Sequence, residues 1–236
     1  MSILQLFSAD EFYDKKPLRP FEVGQFCWIP VPHLDPVPKI LEVERNTATE
    51  HEVVKFHIRD ANQSTDFRSS ERVLPLKYLK LPSNEEMLVR RAKKRPGIIL
   101  STGMDMFPDI ARLLRQTGKK HLQEDSHFVV PCYSIQEGQY GSGFPPVMLP
   151  RIQCLMYRQF FYLPSGIGLK EGIARFDRIQ VVIGDHPAAI TPMEIGLSLK
   201  MCGLFMAMFL YCISGAEDEE LTALRVILRE AYPSEN

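Results

Sequence analysis

Residues 171–182, EGIARFDRIQVV, constrain this chain more than any other stretch. Read as a strand, they put Ile173, Arg175, Asp177 and Ile179 on one face, because side chains alternate with period two. Arg175 and Asp177 are then neighbours, with apolar residues beyond them. A cation beside a carboxylate on a rigid strand is either a structural ion pair or the polar part of a phosphate-handling site. The stretch by itself leaves both open.

The rest of the chain sets the frame. Its 236 residues, 45% of them hydrophobic, suffice for one sizeable core or for a small domain with a large insertion. A formal charge of -1 does not advertise a nucleic-acid binder, but a local basic groove is compatible with it. Cys27, Cys132, Cys154, Cys202 and Cys212 are scattered and form no CxxC pair, so they read as buried free thiols in a reducing cytosol. Neither His57 nor His127 has a partner at metal-ligand spacing, and no metal site is expected. The first ten residues lack a basic start followed by an apolar run, so no secretory signal is expected. The apolar run at residues 201–213 is too short for a bilayer crossing of about 20 residues and reads as a buried helix.

In chain order, residues 1–20 are polar and proline-bearing and read as an arm. Strands are expected near residues 24–31, 95–101, 127–134, 151–163 and 173–182, from their alternation and apolar content. Residues 39–45 and 52–59 read as a half-buried hairpin, followed by a polar loop over 60–70 and an extended segment at 73–81. Ser83 and Glu86 form a capping box, which predicts a short helix running to about Lys93. A second helix is predicted over 107–116 with Gly118 as its stop, and residues 138–146 read as a glycine-rich surface loop without phosphate-loop spacing. After Pro192 the pattern turns helical, over 193–214 and 218–231, with Gly215 between. Strands first and helices last argue for a mainly β protein with helices, an α+β fold in which a strongly curved antiparallel sheet or barrel is packed by C-terminal helices.

Four pieces in order resemble the MazF/PemK/Kid family of bacterial toxins. VGQFCWI at residues 23–29 resembles the family's opening G-D-I-W-x-V strand, and KRPGIILS at 94–101 its R-P-V-V-V-L-S strand. FVVPCYS at 128–134 resembles the V-x-P-x-T-S strand, and GIARFDRIQVV at 172–182 the late G-V-V-R-C-D-Q-I-R-T-V strand. The resemblance covers residues 21–34 and 93–214 of a single domain, with 35–92 as an inserted hairpin and helix and 215–236 as an extra C-terminal helix.

The resemblance implies a compact barrel-like sheet, a homodimer, a cytoplasmic location and a small antitoxin partner. It implies metal-independent, cofactor-free cleavage of single-stranded RNA by 2′-hydroxyl attack. By position it carries the catalytic roles onto Arg95, Arg175 and Asp177, and RNA contacts onto Lys94, Tyr133 and Ser134. Such chemistry needs a base for the 2′-hydroxyl, an acid for the leaving oxygen and positive charge on the phosphorane. A carboxylate beside two planar guanidinium forks supplies a base and two clamps. This chain has Tyr133 where the family has threonine, and residues 88–91 lack the glutamate or histidine usual before the Arg-Pro pair. Two other readings stand beside the nuclease: a non-catalytic, CcdB-like member of the fold that binds a protein, and a nucleic-acid-binding barrel with a phosphate track of Arg90, Arg91, Lys93, Lys94 and Arg95.

Overall fold

The computed structural model describes residues 2–44, 55–67, 85–103, 108–119, 126–135, 144–184, 186–230 and 232. The fold is α+β, with mostly antiparallel sheets and helices at the C-terminal end. Its strands are β1 (Tyr13–Lys15), β2 (Gln25–Pro32), β3 (Lys39–Glu44), β4 (Lys55–Asp60), β5 (Leu88–Val89) and β6 (Ala92–Thr102). They continue with β7 (Ser126–Ser134), β8 (Phe160–Leu163), β9 (Gly172–Arg175), β10 (Gln180–Ile183) and β11 (Thr191–Leu197). The helices are α1 (Ile3–Leu6), α2 (Pro108–Gln116), α3 (Met148–Gln153), α4 (Leu199–Ser214) and α5 (Glu219–Glu230). The chain divides into two compact units, Pro32–Lys93 and the remainder, Met1–Val31 with Lys94–Asn236.

The larger unit is built on one sheet in the order β1-β11-β2-β6-β7-β9-β8, with β10 also paired to β7. Among the described strands this order does not close into a barrel. β7 is long enough to hold β10 against Ser126–Val129 and β9 against Cys132–Ser134. Six of the nine residues of β7 are buried, and they lie on both of its faces. One cluster gathers Phe26, Ile98, Val130, Phe161, Ile173 and Phe205. The other gathers Cys27, Ile29, Ile99, Val129, Val182 and Ile190. Consecutive residues such as Ile98 and Ile99, or Val129 and Val130, therefore belong to different cores, as period-two alternation requires. Burying each such side chain stabilises the fold by about 1.5–3 kcal/mol.

Four expectations change here. Residues 1–20 are not a polar arm: Ile3, Phe12 and Tyr13 are buried, because β1 pairs with β11 and the Tyr13 hydroxyl donates to the Pro164 carbonyl at 2.6 Å. Residues 151–163 are not one strand. Pro145 and Pro146 precede α3, whose first turn tolerates Pro150, and only Phe160–Leu163 of the aromatic run is extended. Residues 173–182 are not one strand either. β9 ends at Arg175, Phe176–Arg178 forms a 3-10 turn, and β10 starts at Gln180. The C-terminal helix begins at Leu199, not Met193. Thr191–Leu197 pairs with both β1 and β2, and the Ser198 hydroxyl caps α4 by accepting from the Met201 amide at 3.3 Å.

Other expectations hold. β2, β6 and β7 lie where the alternation put them, α2 stops before Gly118, and Gly215 ends α4 with φ of 75°. On α4, Met201, Phe205 and Met208 are buried and Leu204, Met206 and Phe209 partly so, which accounts for most of its apolar surface by core packing. Leu199, Leu210 and Ile213 remain exposed. No single described helix is long and apolar enough to cross a membrane.

The smaller unit is a three-stranded antiparallel sheet, β4-β3-β5. The expected hairpin is present, with Leu41 opposite Ile58 and Val43 opposite Phe56. It is not half-buried as expected: Phe56 and Ile58 are 61% and 59% exposed. The helix predicted to reach Lys93 is replaced over its described part by β5, since Leu88 and Val89 complete the β3 edge. Ser83, the segment 73–81 and residues 138–143 lie outside the described residues. Arg59 bonds Asp66 with both nitrogens of its fork, at 2.9 and 2.7 Å, and Glu42 at 2.6 Å.

Hydrogen bonding from Arg59 lowers the Asp66 pKa from 3.8 to about 2. A depressed carboxylate contributes stability above its unfolded pKa and loses it as pH falls through the folded one. The melting-temperature difference between the native chain and Asp66→Asn should therefore be constant above about pH 5 and close as the pH falls from 3.8 to about 2. Arg225 is 1% exposed, donates to the Leu155 carbonyl at 2.9 Å, pairs with Glu217 and lies 4.4 Å from the Tyr211 ring. Arg225→Ala strips all three partners and should cost about 3 kcal/mol in urea denaturation.

Candidate functional site

The site is assembled from the ends of β6, β7 and β9. In the β6–β7 register Gly97 faces Pro131, so Arg95, two residues earlier, falls on the same sheet face as Tyr133, two residues later. In the β7–β9 register Tyr133 faces Ile173, and Arg175 shares the Ile173 face. β8 adds Phe160 directly opposite Arg175. The side chains meet accordingly. The Arg95 guanidinium carbon lies 4.4 Å from the Tyr133 ring centre, and that of Arg175 lies 5.3 Å from the same ring and 5.6 Å from the ring of Phe160.

Two cations brought onto one ring repel each other. The ring quadrupole offsets this by about 0.5–1 kcal/mol per exposed contact, and Asp177 offsets more. The Arg175 Nε donates to Asp177 Oδ1 at 3.0 Å and its Nη2 to Oδ2, while the Arg178 Nε lies 3.4 Å from Oδ2. These hydrogen bonds raise the Arg175 pKa above its ordinary value, so its charge is permanent. The 3-10 turn makes the pairing possible. Phe176 is buried, 4.9 Å from Phe205 and 5.9 Å from Phe209 on α4, and this anchor turns Asp177 and Arg178 outward.

The expected site residues divide into three groups. Arg95, Tyr133, Arg175 and Asp177 come together. Ser134, at the exposed end of β7 opposite Gly172, points to the face away from Tyr133 by alternation. Lys94 likewise leaves Arg95 and reaches the other side, with its ammonium 5.5 Å from the Trp28 ring. Arg178 and Phe160 belong to the site and were not singled out in the sequence. Arg178 follows the R-x-D pair directly, which is the signal that marks it, whereas Phe160 joins only through the β8–β9 register.

Chemically, the cluster is two arginines, Arg175 and Arg178, on one carboxylate, with a third, Arg95, on the Tyr133 ring that Arg175 also approaches. Planar forks suit a phosphate; the Nε and Nη2 side of Arg175 is taken by Asp177, so an anion bound at that side would replace the carboxylate. Among the described residues no three His, Cys, Asp or Glu side chains gather as metal ligands.

Gly172 sets how closely β9 approaches β7. A Cβ there would lie 2.9 Å from the Tyr133 carbonyl oxygen, a backbone atom that cannot swing aside. Gly172→Ala should cost about 1–3 kcal/mol in thermal or urea unfolding through this overpacking. No family model, no curated protein and no solved structure matches the chain, so the site is read from its own geometry.

Proposed function

We propose that the chain is an endoribonuclease of the MazF/PemK type that cleaves single-stranded RNA without a metal. The observation that carries this reading is the convergence of Arg95 and Arg175, from separate strands, on the ring of Tyr133 beside Asp177. Arg95 and Arg175 would hold the non-bridging oxygens of the scissile phosphate. Asp177, released from Arg175 by that phosphate, would take the proton of the 2′-hydroxyl. The 2′-oxygen then attacks phosphorus, the bond to the 5′-oxygen breaks, that oxygen takes a proton from water, and Asp177 passes the proton it took to the hydroxide left behind, so that the products are a 2′,3′-cyclic phosphate and a 5′-hydroxyl. The barrel of that family enters with this reading. It is supported by the cluster that joins Cys27, Ile29, Ile99, Val129 and Val182 from β2, β6, β7 and β10. Pairing of two copies and inhibition by a small antitoxin come with the same reading.

One observation favours a second reading, a protein-binding member of the fold without catalysis. Both Asp177 oxygens are engaged by Arg175, as they are in a purely structural pair. A single experiment separates the two. Purified protein is incubated with a long single-stranded RNA in EDTA, and fragments ending in 2′,3′-cyclic phosphate are expected. Asp177→Asn should lower the cleavage rate by about 10²–10⁴-fold, the usual contribution of a general base, and leave RNA binding largely intact. Intact RNA, together with a lower melting temperature for Asp177→Asn, would establish the structural pair and refute the nuclease.

A further inference from the structure

Trp28 is the single tryptophan of the chain, and its surroundings differ from those of its neighbours on β2. Phe26, Cys27, Ile29 and Val31 are buried in the two cores, whereas Trp28 is only partly buried. Thr191 of β11 stands opposite it in the register. Lys94, an exposed side chain, lies over its ring, with the ammonium 5.5 Å from the ring centre. Lys94 precedes Arg95 on β6, so the two consecutive cations leave the strand start on opposite faces. One rests on Tyr133 and the other on Trp28.

We propose that Trp28 is a base-stacking platform for single-stranded RNA, held by Lys94 until RNA arrives. The proposal rests on the nuclease reading of the Arg95 and Arg175 cluster and extends it by a second subsite. A strand whose phosphate is held at Arg95 carries its next nucleotide past the start of β6. There the Lys94 ammonium exchanges the indole for a phosphate, and the vacated indole face takes a base. The exchange runs in this direction because an exposed lysine–indole contact is weaker than a base stacked on an aromatic ring. Every base has a π-face, so the platform favours unpaired strands over duplexes without reading sequence.

The unique tryptophan makes the test direct. The full chain is titrated with a short 2′-O-methyl oligoribonucleotide, which binds but has no 2′-hydroxyl to attack. Binding is followed by anisotropy of a labelled oligomer, and stacking by Trp28 emission with the unlabelled one. Emission should be quenched with the same midpoint as the anisotropy change. Trp28→Leu should weaken binding about tenfold or more, and Trp28→Phe by less. Lys94→Gln should reduce the slope of log affinity against log salt by about 1. Anisotropy that reports binding while Trp28 emission stays unchanged overturns the platform and leaves the arginine site standing. No anisotropy change at any protein concentration overturns the nuclease reading and the platform together. If Trp28→Leu does not fold, the native emission and Trp28→Phe decide the matter.

Discussion

β7 is the strand on which the larger unit depends. Of its residues only Phe128 and Ser134 are exposed, and Tyr133 is partly buried against the second core cluster. Its backbone groups are shared among β6, β9 and β10. Burial of a single valine or isoleucine is worth about 1.5–3 kcal/mol, whereas an exposed cation–π contact is worth about 0.5–1 kcal/mol. The cores therefore hold the strands, and the strands hold the arginines on Tyr133. The arginine cluster does not hold the sheet together.

That ordering explains how a concentration of positive charge persists at the strand ends of β6, β7 and β9. Arg95, Arg175 and Arg178 would separate if they were free, but each is tied to a backbone whose position is set elsewhere. Phe176 does this for the turn: its ring is trapped among Phe205 and Phe209, and the residues after it are forced outward. Asp177 then neutralises part of the charge and occupies the fork of Arg175. The result is a group of arginines held in place by the fold, with Asp177 as the counter-ion of Arg175 and Arg178.

The smaller unit enters the chain between β2 and β6, which are adjacent in the sheet. An insertion between neighbouring strands costs little, because loop-closure entropy grows only with the logarithm of length. The inserted residues supply their own three-stranded sheet, fastened by the Arg59 fork on Asp66 and Glu42. This leaves the register of β6 and β7, and with it the placement of Arg95, set by the larger unit's own cores.

Local chemistry determined much of this protein. Period-two alternation placed β2, β6 and β7 and assigned Ile98 and Ile99 to opposite faces, and Gly118 and Gly215 marked the ends of α2 and α4. It also set Arg175 beside Asp177, whereas Arg95 was joined to them only by the resemblance of residues 94–101 to a strand of a known family. Tertiary structure decided what alternation cannot encode. Residues 171–182 read as one strand, yet burying Phe176 against α4 outweighs continuing the ladder, so Arg175 and Asp177 meet across a turn and not along a strand face. Residues 193–197 read as the start of a helix, yet pairing with β1 and β2 makes them part of a strand. Ser134 and Lys94 lie beside site residues in sequence and are turned away from them in space by the same alternation. A sequence window carries the preferences of neighbouring residues, whereas a turn, an edge strand or a shared aromatic ring depends on partners distant in the chain.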